Sequence, residues 1–142
     1  MVICLLVGLL MNNNRTWNIL NWNIRGVNGK EKWLPLQQKI EESAASIICL
    51  QETKRESFDL NFIKNFCPQR INNFRFLPSV GASGGLLTAW NGNLFFGELL
   101  FQNRFSLSIK FTCKTTTQSW ILTNIYGPCN PEEKLEFTDW FS

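Results

Sequence analysis

The run Ser46-Ile47-Ile48-Cys49-Leu50 constrains the fold more than any other segment. It is too short for a buried helix and has no polar break after its first residue, so it predicts a strand covered on both faces. Upstream, Leu20, Trp22 and Ile24 alternate with Asn21 and Asn23, the period of a strand with one buried face and one face of amides. Arg25-Gly26-Val27-Asn28-Gly29 breaks that strand. Between Lys30 and Glu42, Trp33, Leu36 and Ile40 recur at helical spacing; Pro35 fits only in a first turn, which sets the helix start near Trp33. Strand, helix and strand make a βαβ unit. Ligands of such sheets gather beyond the strand ends, where Gln51, Glu52 and Thr53 lie.

The rest of the chain reads as mostly antiparallel. Phe62, Ile63 and Phe66 predict a short helix within Asp59 to Phe66, ended with the help of Pro68. Gly81-Ala82-Ser83-Gly84-Gly85 leads into Leu86 to Trp90, and Asn91-Gly92 then signals a hairpin to the next apolar run. Phe105, Leu107, Ile109 and Phe111 alternate with polar residues, and Trp120 to Tyr126 is a further strand. Asn130, Pro131, Glu132 and Glu133 open a predicted C-terminal helix with Phe137, Trp140 and Phe141 as its apolar stripe. Val2 to Met11 is apolar but shorter than the ~20 residues a membrane span needs, and no basic residue precedes it. Residues 1–15 are therefore expected to be an irregular extension ahead of one domain, residues 16–142, with no membrane association. No repeat or linker divides that domain.

Composition narrows the chemistry. With 44% hydrophobic residues, six Trp and twelve Phe in 142 residues, the chain can build one globular core. It contains no histidine, which excludes Ser-His-Asp and Cys-His hydrolases within this polypeptide. A formal charge of +3 permits a polyanionic partner without demanding one. Cys4, Cys49, Cys67, Cys113 and Cys129 are odd in number and lack C-x-x-C spacing, so they read as reduced thiols of an intracellular protein.

Three residues stand out chemically, each with a plainer alternative. Glu52, a lone carboxylate past a buried strand, suits a hard cation or simply faces water. Asn23 can orient a phosphate or a carboxylate, or point to solvent. Tyr126, the only tyrosine, can hydrogen-bond a phosphate oxygen or sit half-buried with its hydroxyl in water. The glycines from Gly81 to Gly85 are not a phosphate-binding P-loop, because Leu86-Leu87 stands where Lys and Ser or Thr would open a helix.

In order, Trp22-Asn23-Ile24-Arg25-Gly26, Ile48-Cys49-Leu50-Gln51-Glu52-Thr53, Gly84-Gly85-Leu86 and Thr123-Asn124-Ile125-Tyr126-Gly127-Pro128 resemble successive motifs of the endonuclease/exonuclease/phosphatase family. Within it, the likeness is to the apurinic-endonuclease-like domain of plant LINE-type non-LTR retrotransposon polyproteins, and it covers Trp17 to about Trp140. The resemblance implies an α/β (α+β) four-layer sandwich and a magnesium-dependent phosphodiester hydrolase acting on DNA. It assigns Glu52 as metal ligand, Asn23 as the active-site asparagine and Tyr126 as the phosphate-contacting tyrosine. No small-molecule cofactor is implied.

The family's Gly-Asp-x-Asn and Asp-His motifs are absent; the only aspartates are Asp59 and Asp139, in other contexts. The chain therefore reads as roughly the N-terminal half of the domain, with little or no nuclease activity alone. On that reading the second sheet would be missing, leaving an apolar sheet face open to water and prone to self-association or aggregation. The alternatives are a non-catalytic nucleic-acid-binding or protein-interaction module, or a retroelement remnant without selected function. DNA as partner would place the protein in the nucleus.

Overall fold

The computed structural model describes residues 2–7, as backbone only, and residues 17–127. The chain is α+β, with two four-stranded sheets and two α-helices among the described residues.

The βαβ unit forms as the periodicity predicts. Strands β2 (Ile19–Asn23) and β3 (Ile47–Gln51) pair in parallel, from Ile19 beside Ile47 to Asn23 beside Gln51. Helix α1 (Trp33–Ser43) follows a single 3₁₀ turn at Lys30–Lys32 and crosses between them. Pro35 falls in its first turn, where a missing N–H breaks no helical bond. The helix ends at Ala44, left-handed at φ 51°, whose N–H returns to the Glu41 and Ile40 carbonyls.

Every residue of β3 is buried, and alternation sends its side chains into two different cores. Ile48 and Leu50 join Leu36 and Ile40 of α1 and Ile63 of the one-turn helix α2 (Leu60–Ile63). Ile47 and Cys49 face the other sheet, meeting Phe95, Ile109, Phe111, Trp120 and Leu122. Each fully buried Ile or Leu contributes about 1.5–3 kcal/mol, which fixes the position of β3 between layers. Antiparallel β5 (Leu86–Trp90) and β4 (Asn73–Leu77) complete this sheet in the order β2-β3-β5-β4. The second sheet has the order β1-β8-β7-β6, from β1 (Val2–Val7), β8 (Ser119–Tyr126), β7 (Ser106–Cys113) and β6 (Phe95–Gln102).

Three expectations need correction. The apolar N-terminus is not irregular: Val2–Val7 forms β1 and pairs antiparallel with β8, Val2 beside Tyr126. Asn91-Gly92 does not turn a hairpin, because β5 pairs with β3 and β4 whereas β6 pairs with β7, so this turn carries the chain from one sheet to the other. The short helix expected within Asp59 to Phe66 forms as the single turn α2, capped by Asp59 Oδ1 accepting from the Phe62 N–H at 2.8 Å. The second sheet is present, and it covers the inner face of β3 that was expected to stand open. The apolar side chains that do reach water include Phe96, Leu100 and Phe101, all on edge strand β6.

Among the described residues, helices cover only the β2-β3-β5-β4 sheet, which makes three layers. The outer face of the other sheet carries paired hydroxyls, Ser108 with Thr123 at 2.8 Å and Thr112 with Ser119 at 3.0 Å. The expected helix after Asn130 lies outside the described residues. No described helix is long and apolar enough to cross a membrane.

Cys67 and Cys113 are buried free thiols. Burial pushes Cys67 from an ordinary 9.0 up to about 12, against the opposing pull of the Arg70 charge. The folded thiol thus keeps its proton where the unfolded one loses it, and stability present below pH 9 falls by about 1.4 kcal/mol per pH unit as pH rises toward 12. Urea midpoints at pH 8 and pH 10 are expected to show that loss in the wild type and a smaller one in Cys67→Ala.

Candidate functional site

Three loops meet at one end of the sandwich, and the backbone laces them together. The segment after β2 donates Ile24 N–H to Gln51 O at 3.1 Å, Gly26 N–H to Glu52 O at 2.7 Å and Val27 N–H to Thr53 O at 3.1 Å. The segment after β3 in turn donates Thr53 N–H to Gly85 O at 3.2 Å and Lys54 N–H to Gly84 O at 2.9 Å. The parallel βαβ pairing produces this: both strands end side by side, so their exits run together.

Glu52 is the first residue beyond β3, half-buried and left-handed at φ 54°. Among the described residues its carboxylate has no ion-pair or hydrogen-bond partner. Asn23 ends β2 beside Gln51, and its Oδ1 accepts from the Arg25 N–H at 3.2 Å, which shapes the turn and leaves Nδ2 without a partner among the described residues. Tyr126 ends β8 with little of its surface in water. Its ring lies against Gly84, where an added Cβ would sit 3.4 Å from Cε2. Gly84 and Tyr126 line a small cleft with Ser83, Gly85, Arg104 and Phe105. Asn23, Glu52 and Tyr126 thus share one end of the molecule.

The backbone there is strained. Left-handed non-glycine residues cost about 1–3 kcal/mol each and persist where surroundings enforce them. Arg25, Glu52 and Lys54 all adopt that conformation in the laced loops, as do Gly26, Gly84 and Gly85. The two other left-handed non-glycine residues among those described, Ala44 and Thr117, merely end a helix and turn a hairpin. At Gly85, φ 95°, an added Cβ would also lie 2.3 Å from Thr53 Oγ1. Gly85→Ala is therefore expected to cost about 2 kcal/mol in thermal unfolding, whereas Gly81→Ala, with open space around it, pays only for its φ of 60°.

Two residues that sequence reasoning did not single out fix the site's width. Asn124 of β8 is fully buried and reaches across to the other sheet. Its Nδ2 lies 3.3 Å from Leu50 O, 3.0 Å from Leu87 O and 3.2 Å from Thr88 Oγ1, while Oδ1 accepts from Gln51 Nε2 at 2.8 Å. Gln51 Nε2 also reaches Asn21 Oδ1 at 2.6 Å. Glu52 and Tyr126 each lie two residues beyond the Leu50–Asn124 contact, so this polar pin sets their separation. The signal was present in the sequence: Asn124 is the polar member of the inward series Trp120, Leu122, Asn124, Tyr126.

The donor set limits which cation fits. No group of three His, Cys, Asp or Glu residues exists among the described residues. One free carboxylate suits a largely hydrated magnesium ion, which accepts one or two carboxylates and keeps its other waters. It does not suit a tightly caged metal. No protein-family model matches the chain, and no curated protein is similar enough to count as a relative.

Proposed function

We propose that this end of the molecule is the metal-and-phosphate half of a phosphodiester-cleaving site of the endonuclease/exonuclease/phosphatase type, derived from a retroelement and lacking its own means of activating water. The unpaired Glu52 carboxylate, held at a left-handed position where three loops converge, carries the reading. Glu52 would hold hydrated magnesium, which polarises a phosphate oxygen and offsets charge growing in the transition state. Tyr126 and Asn23, at the same end of the molecule, would orient the phosphate through phenol and amide. The chain has no histidine, and among the described residues Glu52 belongs to no group of three His, Cys, Asp or Glu side chains that could hold a metal. General-base assistance contributes about 10²–10⁴-fold, so the chain by itself binds and orients a phosphodiester rather than turning it over. Its place of action would be intracellular and, with DNA as partner, nuclear.

Manganese, a paramagnetic substitute for magnesium, tests this. In the wild type it is expected to broaden amide resonances of Asn23, Glu52 and Lys54, and in Glu52→Gln to leave them sharp. Plasmid nicking with magnesium is expected to stay at background. Broadening centred elsewhere, or unchanged in Glu52→Gln, contradicts the assignment.

A further inference from the structure

Arg25 and Lys54 stand on the two laced exits that flank Glu52, one past β2 and one past β3. Both side chains are exposed, and both backbones are left-handed, at φ 53° and 56°. The loops run so close that a Cβ on Gly26, next to Arg25, would touch Lys54 Cδ at 3.6 Å. Two cations and the Glu52 carboxylate thus share a few residues of tightly joined loop, yet neither cation pairs with it or with any other described carboxylate. The ion pair among the described residues is Arg70 with Glu41, elsewhere on the surface.

The backbone at Arg25, Glu52 and Lys54 is left-handed at about 1–3 kcal/mol per residue, so three charged residues sit on loops of fixed conformation. Such an arrangement is pre-set for an outside ligand with anionic groups for the two cations. Both side chains stand exposed to water, so a small anion would gain little, whereas an extended polyanion can touch both at once and release counterions at each.

We infer that Arg25 and Lys54 form a metal-independent anchor for the phosphodiester backbone of a nucleic acid, holding it across the Glu52 position before any cation binds. This rests on the nucleic-acid reading of the site but not on its metal. The two cations contact separate phosphates and read no bases, so the anchor supplies affinity and register without sequence preference.

Binding of a fluorescein-labelled 16-bp DNA duplex in EDTA, followed by anisotropy over a salt series, tests it. Arg25→Asn/Lys54→Asn removes both charges with a residue that tolerates left-handed backbone. Arg75→Gln/Lys39→Gln removes the same charge from exposed positions away from the site. The wild type is expected to bind, and the first variant to lose about 1.8 from the slope of log K against log salt, about 0.9 per phosphate contact. The second is expected to keep the wild-type slope, and both to keep the wild-type unfolding transition. Equal slope losses in the two variants would mean that net charge alone attracts DNA and would overturn the anchor. No wild-type binding in EDTA would overturn it as well, while manganese broadening around Glu52 stands or falls separately.

Discussion

Asn124→Leu is expected to lower the thermal midpoint by about 10 °C, a loss of about 3 kcal/mol. The substitution keeps the volume but removes both ends of the pin between sheets. Leu50 O, Leu87 O and Thr88 Oγ1 lose a donor, and Gln51 Nε2 loses an acceptor in a fully buried place. Each stranded buried group costs about 1–3 kcal/mol, much more than the net gain from an ordinary hydrogen bond. The same asymmetry gives the control. Gln51→Leu/Asn124→Leu takes away both polar partners, so the double variant is expected to be less destabilised than the sum of the singles by at least about 1 kcal/mol. Additive losses would mean that the two side chains act independently. Asn124→Leu is also expected to weaken manganese broadening at Tyr126 more than at Glu52, because the pin sets the distance between them.

Gly97→Ala comes next in expected effect, at about 2–3 kcal/mol. Gly97 lies on β6 directly over the Trp90 ring of the opposite sheet, and an added Cβ would fall 2.3 Å from Cζ2 and 2.7 Å from Cε2. Those atoms belong to a rigid ring that also packs edge-to-face against Phe111, the cross-strand neighbour of Gly97, with centroids 5.2 Å apart. Trp90 cannot yield without losing that edge-to-face contact, so the two sheets must separate locally. Trp90→Phe shortens the ring system at the contact. Gly97→Ala/Trp90→Phe is therefore expected to recover part of the Gly97→Ala loss, measured by urea unfolding.

Periodicity made the βαβ unit legible, because hydrophobic spacing is a local property and Pro35 marked the helix start. The partner of each strand was not legible in the same way. Asn91-Gly92 looks identical whether the chain folds back beside β5 or crosses to a second sheet; the choice is made by Trp90, Phe95 and Phe111, which meet only in three dimensions. The strand at Val2–Val7 escaped for a related reason: a uniformly apolar run has no alternation to read, and its pairing with β8 depends on residues more than a hundred positions away. Glu52, Asn23 and Tyr126 could be placed at one end of the molecule from the sequence because each ends or directly follows a recognisable strand. Asn124 was not singled out, since its role rests on carbonyls of the opposite sheet, and the left-handed backbone of Arg25 and Lys54 has no signature in residue type.

Glu52 as a cation ligand on a folded two-sheet domain is most directly tested by thermal unfolding, followed by near-ultraviolet circular dichroism, with and without magnesium. A cooperative transition is expected for both the wild type and Glu52→Gln. At a tenfold excess of magnesium over its dissociation constant, the wild type is expected to gain about 1.4 kcal/mol, seen as a higher midpoint, and Glu52→Gln to gain nothing. Equal shifts in the two proteins would contradict the assignment of Glu52, and the absence of a cooperative transition would contradict the two-sheet domain itself.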